Sequence, residues 1–313
     1  MNKIYNYFGL SPRATSFDVL KSIHFKRSRS EFPDFVSEFL QNEYLNSNDI
    51  RYFNELLWVS NGDITEMMES IEHFKGHFKN NKYPYIFDKE FVNCLNIPNS
   101  EYQIDVNAFA EKDIALIGSP FHFILPYFKF KKFGVKVDVI NIKYHPSRKI
   151  GAIFNNRFIS ILYKIIFFND YVEIDIPSKK DLKNFKLPKF YDVGFHKLSF
   201  IIGENVTKNF KEGLVNDHWG ALPLFKGRST LHYSKLFGAK KVITNHLIEE
   251  GIDSGKILMY SSLKSKMDIY LGLKNRIFNS LNLLCQNKLL DVDNQKGYIF
   301  YEMHPWLIDK LKN

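Results

Sequence analysis

Cysteine is scarce in this chain, and long apolar runs are missing. Only Cys94 and Cys285 occur among 313 residues, far apart in sequence. Two thiols do not make a disulfide framework, so a reducing cytoplasm is the expected compartment. The first ten residues lack the basic start and apolar run of a secretory signal. The most apolar stretch, from Ile159 to Phe168, contains Lys164 and is too short to cross a bilayer, so we expect no membrane span.

A dinucleotide-binding motif and an RNA-binding pattern are also lacking. No G-x-G-x-x-G sequence follows a predicted strand, which argues against a nicotinamide cofactor. The net charge is +9, with lysines concentrated at 129–136 and 179–189. A basic surface can attract phosphates, nucleic acid or an anionic membrane. Because no aromatic residues are interleaved in a recognisable pattern, we interpret these lysines as solvated faces and do not expect nucleic acid as a partner.

The first hundred residues are predicted to be helical. Ser16 is a candidate cap for a helix that buries Val19, Leu20 and Ile23. The run 49–59 places its apolar residues on one helical face, namely Tyr52, Phe53, Leu56 and Leu57. Asp63 and Glu66 have capping-box spacing before a third helix. His73 and His77 stand four apart on that helix, but no further ligand accompanies them, so no metal site is predicted.

The pattern changes to alternating strands and helices near residue 105, after a linker at 98–101. Residues 113–117 form an apolar run that ends in glycine, a helical stretch follows at 121–133, and 135–142 is rich in β-branched residues. This order is the start of a βαβ unit. Further apolar runs occur at 198–202, 214–215, 241–247 and 257–260. We therefore predict a helical N-terminal domain over 1–105 and an open, Rossmann-like α/β domain over 106–313.

Two stretches of this second domain carry the residue types of a reacting centre. The first, at 216–230, places Asn216 and His218 directly after a short apolar run. Positions i and i+2 of a strand point to the same face, so an amide and an imidazole would project together at the carboxyl edge of a sheet. The second, at 242–258, ends in a loop where glycines flank Asp253 and allow a sharp turn close to a ligand.

These two stretches resemble the folate-dependent formyltransferase superfamily. Its pattern is N-x-H-x-S-x-L-P with a following R/K-G, then a T-x-H strand and a G-[IVL]-D-[TS]-G loop. The matching residues here are Asn216, His218, Leu222, Pro223, Lys226, Gly227, Thr244, His246, Gly251, Ile252, Asp253, Ser254 and Gly255. Gly220 stands where the family usually has serine, and the first hundred residues have no counterpart. The resemblance covers roughly 112–284 and includes the opening strand and loop at 113–120.

The resemblance implies a site, a donor and a mechanism. The formyl group would come from 10-formyltetrahydrofolate and pass to a primary amine without a metal or a covalent enzyme intermediate. Asn216 and a protonated His218 would donate hydrogen bonds to the carbonyl oxygen, and Asp253 would accept the proton of the amine. By the same resemblance, the residues expected to bind the folate are Phe200, Ile201, Ile202, Gly251 and Ile252. Ser119, Trp219 and Arg228 are candidates for binding the second substrate.

Two of these neighbouring residues keep an alternative interpretation. His246 either supports the reacting centre from the next strand or simply packs, and Trp219 either lines the substrate entrance or covers the core. Residues 303–305, Met-His-Pro, have no role in this pattern.

The acceptor is expected to be an amino sugar, most readily one linked to a nucleotide. About thirty residues follow Leu284, too few for the extra C-terminal domain that the tRNA enzyme usually carries. The glycinamide ribonucleotide enzyme normally lacks a helical N-terminal extension. Alternatives are therefore a methionyl-tRNA or a glycinamide ribonucleotide formyltransferase. A folate-binding or assembly protein without catalysis is a further alternative, and the oligomeric state is open.

Overall fold

The structure is a computed structural model of the whole chain. It describes residues 2–11, 13–27, 31–47, 49–60, 104–144, 157–176, 178, 181–237, 239–263, 267–294 and 297–311. The predicted capping box at Asp63, the pair His73 and His77, and the linker at 98–101 lie outside the described residues. No described helix is both long enough and apolar enough to cross a membrane.

Helices and strands alternate through most of the described chain. The helices are α1 (Asn2–Phe8), α2 (Ser16–Lys26), α3 (Asp34–Ser47), α4 (Ile50–Val59), α5 (Ile124–Lys132), α6 (Arg157–Phe167), α7 (Glu204–Thr207), α8 (Thr230–Leu236), α9 (Asp268–Leu271), α10 (Leu273–Cys285) and α11 (Pro305–Lys310). The strands are β1 (Asp113–Gly118), β2 (Lys136–Tyr144), β3 (Tyr171–Ile176), β4 (Tyr191–Lys197), β5 (Phe210–His218), β6 (Phe225–Gly227), β7 (Val242–Leu247), β8 (Ile257–Ser262) and β9 (Tyr298–Phe300). The predicted helical start and the predicted α/β class are both confirmed.

The chain divides into two compact units, and each unit is made of more than one segment of the sequence. One unit contains the described residues up to 60 together with Gly227–Ala239 and Ile299–Asn313. The other contains the described residues from 104 to Lys226 together with Lys240–Tyr298. The first unit thus takes in two later segments that the sequence pattern did not connect with the N-terminal helices. The predicted domain boundary near residue 105 stays a prediction.

In the helical unit, α2 and α4 begin with side-chain caps. The predicted cap Ser16 is wrong, because Thr15 precedes the helix and forms a capping box with Asp18. Ser16 is the first residue of α2, and its Oγ accepts a hydrogen bond from the hydroxyl of Tyr52 at 2.9 Å. For α4 the prediction is confirmed, since Asp49 caps the helix and the apolar face is buried. The buried residues of that face are Tyr52, Phe53, Leu56 and Leu57.

The C-terminal Met-His-Pro segment belongs to this helical unit. The backbone N–H of Met303 donates to the hydroxyl of Ser229, and that of His304 donates to the side-chain oxygen of Asn54 at 2.8 Å. Tyr301 stacks on the imidazole of His24 with ring centres 4.0 Å apart. The segment therefore contributes to the packing of the N-terminal helices.

The α/β unit is built on a seven-stranded mixed sheet with the order β3-β2-β1-β4-β5-β7-β8, and β6 and β9 form a separate two-stranded sheet. The strands from β3 to β5 pair in parallel, whereas β5 with β7 and β7 with β8 pair antiparallel. The apolar run 198–202, from which the α/β class was predicted together with other apolar runs, lies in the loop after β4 and is not a strand. The strand itself includes Asp192 and His196, which interrupt its hydrophobic pattern.

Each face of this sheet carries its own apolar core. Val193, Phe195 and Val215 pack on one face with residues of α5, α6 and α10. Leu214 packs on the opposite face, with Ile202 and other residues of the loop after β4. Because side chains alternate along a strand, Asn216 and His218 share the face of Leu214, whereas Asp217 shares the face of Val215. The alternation of β5 therefore decides which groups meet at the end of the strand.

A buried carboxylate holds two helices of the helical unit together. Glu55 of α4 has no exposed side-chain surface, and both of its carboxylate oxygens lie 2.9 Å from Nη1 of Arg27, which follows α2. Nδ1 of His24 approaches the same carboxylate at 3.2 Å. The guanidinium of Arg27 also lies 4.2 Å from the ring centre of Trp58. Removing one member would leave a charged partner largely buried without compensation, which is strongly destabilising.

We predict that Glu55→Ala lowers the free energy of unfolding by about 3 kcal/mol, because Arg27 then keeps its charge without its carboxylate. Glu204→Gln is the control, since Glu204 pairs with Lys208 at the surface and its side chain is 77% exposed. That change should shift stability by less than about 0.5 kcal/mol. Urea denaturation of both variants measures the difference, and equal stabilities would contradict the prediction.

Candidate active site

Three polar side chains lie side by side across the centre of the sheet. His196 of β4 is the register partner of Asn216 of β5, and Asn216 is the register partner of His246 of β7. Register partners on neighbouring strands project from the same face. The row crosses the point where the parallel part of the sheet meets the antiparallel part. In open α/β sheets the carboxyl ends of the strands are where ligands bind.

The loop that carries Asp253 is tightly constrained. Asp253 has a φ of 50° and Gly251 a φ of 100°, conformations that are unusual for a residue with a side chain. A Cβ on Gly255 would lie 1.9 Å from the carbonyl oxygen of Leu247, so no side chain fits there. The amide of Asn294 donates to the carbonyl oxygens of Asp253 at 3.0 Å and of Gly255 at 2.5 Å. These contacts hold the carboxylate in one place over the sheet edge.

His218 is engaged through both of its ring nitrogens. Its Nε2 lies 2.7 Å from the carbonyl oxygen of Phe225, which can only accept, so Nε2 carries a proton. Its Nδ1 lies 3.3 Å from Oδ2 of Asp253. Burial lowers the pKa of His218, while the Asp253 carboxylate opposes that effect. The pair His218 and Asp253 can therefore share a proton between Nδ1 and the carboxylate.

His246 supports the site from the neighbouring strand. Its Nδ1 lies 2.7 Å from the carbonyl oxygen of Leu247 and so carries a proton. Its Nε2 is then free to accept a hydrogen bond from Nδ2 of Asn216 at 3.1 Å, and it lies 3.6 Å from Oδ1 of Asp253. This geometry orients the amide of Asn216 and leaves the second hydrogen of Nδ2 for another acceptor. Of the two interpretations of His246, the contacts favour support of the reacting centre.

A buried ion cluster lies on the opposite face of the same strand. Asp217 accepts from Nζ of Lys197 at 2.9 Å and from Nε of Arg276 at 2.8 Å. The amide of Asn245 donates to the same carboxylate at 3.1 Å. Burial works against ionisation, but the charges of Lys197 and Arg276 outweigh it and hold the pKa of Asp217 at about 2. The cluster ties β4, β5, β7 and α10 together one residue away from both Asn216 and His218.

The structure brings together part of the predicted set. Asn216, His218 and Asp253 are linked through the contacts above. Among the predicted folate residues, Ile202 is buried, Phe200 is partly buried, and Ile201 and Ile252 are 62% and 39% exposed. Gly251 lies in the Asp253 loop. The ligand contacts predicted for these residues stay predictions.

The three predicted substrate residues lie in different settings. Ser119 follows β1 at the carboxyl edge and is partly buried. Trp219 follows β5, is 37% exposed, and has Nζ of Lys197 5.0 Å from its ring centre. Arg228 belongs to the helical unit, where its Nη1 lies 4.0 Å from a carboxylate oxygen of Glu302. Contacts of these three residues with a substrate also stay predictions.

Several contributors escaped the sequence pattern. His196, Asn294 and the carbonyl group of Phe225 belong to no motif that the sequence displays. Lys226 was noted only as a motif residue, yet it is 4% exposed and its Nζ donates to the carbonyl oxygen of Asn294 at 2.5 Å. Asp217 did leave a signal, because a charged residue inside a buried strand requires partners. Nothing local identified those partners, which come from β4 and α10.

No family model matches the chain. A methionyl-tRNA formyltransferase from Finegoldia magna is 32% identical over 99 residues, which is 31% of this chain. The match spans about a third (32%) of the length of that relative. This sequence match agrees with the resemblance that the motifs indicate.

Several solved structures of formyltransferases are similar to this chain, with low TM-scores. A 4-N formyltransferase from Francisella tularensis matches 61% of this chain and 76% of its own, with 15% identity and a TM-score of 0.43. The formyltransferase PseJ from Anoxybacillus kamchatkensis, in complex with UDP-4,6-dideoxy-4-formamido-L-AltNAc and tetrahydrofolate, matches 60% and 85%, with 16% identity and a TM-score of 0.36. Methionyl-tRNA formyltransferase from Clostridium thermocellum matches 62% and 74%, with 20% identity and a TM-score of 0.36. Because these TM-scores are low, the description of the fold rests on the strand order of this chain and not on the similarity.

We predict that Asp217→Asn removes an acid-dependent part of the stability. The pKa of the carboxyl is lower in the folded state, about 2, than the ordinary 3.8. Its contribution is therefore present above about pH 4 and is lost as the pH falls towards 2. The difference corresponds to about 2 kcal/mol at neutral pH.

Urea denaturation at pH 7, 4 and 2.5, chosen to bracket that window, measures this effect. Asp113→Asn is the control, because Asp113 is 36% exposed and lies 3.7 Å from Lys189, and such a pair contributes little. If Asp217→Asn kept the full acid sensitivity of the unchanged protein, the ion cluster would not be the source.

Proposed function

We propose that the chain is a folate-dependent N-formyltransferase, which moves the formyl group of 10-formyltetrahydrofolate to a primary amine. One observation carries the proposal. An oriented amide, Asn216, lies on the same sheet edge as a carboxylate, Asp253, that is held beside two imidazoles. Such an arrangement offers a hydrogen-bond donor for a carbonyl oxygen and an acceptor for the proton of an amine.

The reaction needs one bond formed, one bond broken and one proton moved. The amine nitrogen bonds to the formyl carbon, the bond between that carbon and N10 of the folate breaks, and N10 gains a proton. The remaining hydrogen of Nδ2 in Asn216 donates to the formyl oxygen, where negative charge develops. Asp253 accepts the proton of the amine, and Nδ1 of His218 shares it. The resemblance also assigns to a protonated His218 a hydrogen bond to the formyl oxygen, and that role stays a prediction.

The residues around the row suit a folate. Ile201 and Ile252 present apolar side chains to solvent, each more than a third exposed. Both lie in loops next to the reacting centre, after β4 and in the Asp253 loop. Exposed apolar side chains beside polar groups are typical of a ligand site. We therefore assign the binding of the pterin to five residues: Phe200, Ile201, Ile202, Gly251 and Ile252. The folate bound in this way would supply the formyl group to the reacting centre.

We further propose that the acceptor amine belongs to a sugar, most readily one linked to a nucleotide. A tRNA needs a broad basic footprint. Many described lysines of the α/β unit are instead paired with carboxylates: Lys112 with Glu212, Lys131 with Asp170, Lys143 with Glu173, Lys189 with Asp138, and Lys208 with Glu204. Trp219 follows His218 in the chain and is 37% exposed, and the flat apolar surface of its ring suits stacking with a sugar or a base. Ser119 and Arg228 are the other proposed substrate residues.

The second candidate acceptor is the aminoacyl group of a tRNA. The 99-residue match to a methionyl-tRNA formyltransferase favours it. Glycinamide ribonucleotide is a third possible amine. A folate-binding protein without catalysis fits less well, because the linked trio Asn216, His218 and Asp253 would then have no use.

We propose the cytoplasm as the compartment of this activity, because a chain with so few cysteines suits a reducing environment.

We predict that Asp253→Asn lowers kcat by a factor of about 10² to 10⁴, because an amide cannot accept the proton of the amine. Asn216→Ala should lower kcat about a hundredfold through loss of a donor to the oxygen. Steady-state release of tetrahydrofolate with a proven acceptor measures both. Asp291→Asn, an exposed carboxylate of the same unit, is the control and should retain the full rate. A near-normal rate in Asp253→Asn would refute the assignment.

The acceptor is tested with a panel under one buffer condition. We expect mass spectrometry to detect an added formyl group on an amino sugar, with nucleotide-linked forms preferred. Raising the salt from 50 to 200 mM should weaken the use of a small acceptor modestly, whereas tRNA binding would weaken about a thousandfold or more. Formylation of aminoacylated initiator tRNA, with all amino sugars unchanged, would establish the second candidate instead.

A further inference from the structure

Helix α6 is apolar on both of its faces. On the inner face, four side chains pack against the core of the sheet: Ile159, Tyr163, Ile166 and Phe167. On the outer face, three large aliphatic side chains are between 45% and 70% exposed: Ile161, Leu162 and Ile165. A helix at a protein surface normally turns polar residues outward, and a helix that is apolar all round is normally buried. The composition of α6 is therefore that of a buried helix at an exposed position.

The neighbouring helix α5 continues this apolar face. Phe121, just before α5, and Leu125 and Phe128 within it are each more than half exposed. Both helices pack on the same face of the sheet, and they touch each other, because the rings of Tyr127 and Phe167 have centres 4.9 Å apart. Their exposed stripes therefore run side by side. We call the exposed set the α5–α6 surface, and its members are Phe121, Leu125, Phe128, Ile161, Leu162, Ile165 and Phe168.

The α5–α6 surface is large. Its side chains are between 45% and 74% exposed, which corresponds to an area on the order of 800 Å² when each large side chain is given about 180 Å². The largest apolar patch on a typical monomer covers about 300–600 Å². A stable protein–protein interface buries about 800 Å² on each partner. The surface therefore exceeds the patch of an ordinary monomer and matches one partner's share of an interface.

A second copy of the chain suits this surface. Ile161, Leu162 and Ile165 form one stripe along α6, and such a stripe packs against the stripe of another helix. In a two-fold symmetric pair the same surface occurs on both partners, so it must match itself. The side chains of the α5–α6 surface are uncharged, so two copies would meet without like charges at the centre. Interfaces are also enriched in aromatic residues such as those that α5 presents.

The lysines of α5 favour a protein partner over an anionic membrane. Binding to such a membrane draws on several cations next to the apolar face. Two of the three lysines of α5 are engaged within the chain. Nζ of Lys129 lies 3.9 Å from the ring centre of Phe278, and Nζ of Lys131 lies 3.0 Å from a carboxylate oxygen of Asp170. These contacts leave little basic charge on α5 for lipid headgroups.

We infer that the α5–α6 surface is the interface of a homodimer, in which α6 of one copy packs against α6 of the other across a two-fold axis. This interface goes beyond the proposed function and does not depend on it.

The reacting centre stays open in such a dimer. Helices α5 and α6 cover the face of the sheet on which Val215 lies, whereas Asn216 and His218 project from the opposite face. The side chains of the α5–α6 surface take no part in the proposed reaction. Changes at the interface are therefore expected to leave kcat unaltered.

The test measures the mass of the full chain in solution as a function of its concentration. Sedimentation equilibrium from about 0.1 to 100 µM includes the range in which the weaker interfaces of this size dissociate. We expect a mass twice the 36.9 kDa of one chain at the upper concentrations.

Two variants and a matched control locate the interface. Ile165→Asp should raise the Kd of the dimer at least about a hundredfold, because a two-fold interface would bury the new carboxylate twice without a partner. Phe128→Lys should raise Kd from the α5 side for the same reason. Leu271→Asp should leave Kd unchanged, since Leu271 is 70% exposed, as Ile165 is, but lies on α9 after β8, at the opposite edge of the sheet from β3. All three should keep Tm, because the replaced side chains are exposed in the single chain.

The outcomes separate the possible occupants of the surface. A chain that is monomeric at every concentration would overturn the inference. If that monomer also sedimented with vesicles of phosphatidylserine and phosphatidylcholine, and Ile165→Asp abolished the binding, the surface would belong to a membrane instead. A dimer that survives both Ile165→Asp and Phe128→Lys would overturn the inference as well, because its interface would lie elsewhere.

Folding and function are controlled separately. Circular dichroism gives Tm for each variant, and if Ile165→Asp failed to fold, the comparison of Phe128→Lys with Leu271→Asp would decide. None of these measurements uses a folate or an amine, so a failure of the proposed function would leave their result unchanged.

Discussion

The candidate site depends on a single alternation along β5. Asn216 and His218 project from one face of this strand, and Asp217 between them projects from the other. The ion cluster of Asp217 with Lys197 and Arg276 therefore holds the backbone of the two site residues from behind. A buried carboxylate is stable only when its partners are in place. Any displacement of β4 or α10 would leave charges unpaired, so the cluster couples the positions of these elements to the site.

Backbone carbonyl groups set the chemistry of the imidazoles. The oxygens of Phe225 and Leu247 each accept from one nitrogen, of His218 and His246 respectively. Each contact determines which nitrogen of the ring faces the site, because a carbonyl oxygen can only accept. As a result His218 directs Nδ1 to Asp253 and His246 directs Nε2 to Asn216. A short loop, closed by Asn294, then holds the carboxylate in reach of both.

Local pattern was enough for much of the architecture. The amphipathic run that became α4 and the apolar runs that became β1, β2, β7 and β8 follow from periodicity and turn residues. The cap of α2 was displaced by one residue, because Thr15 and Ser16 are both good caps and only the reciprocal bond with Asp18 separates them. The run 198–202 is apolar although it is not a strand, because Ile202 of this loop packs into the core on one face of the sheet.

The sequence by itself determined the reacting trio as candidates, the α/β class and the helical start, because each of these depends on residues close together in the chain. Only the tertiary structure decided what lies around the trio. His196 is twenty positions before Asn216, and Asn294 is about forty after Asp253, yet sheet register and loop packing bring them into the site. The tertiary fold also joined the segments Gly227–Ala239 and Ile299–Asn313 to the N-terminal helices. Such contacts depend on which surfaces are buried together, and burial between distant segments leaves no periodic trace in either one.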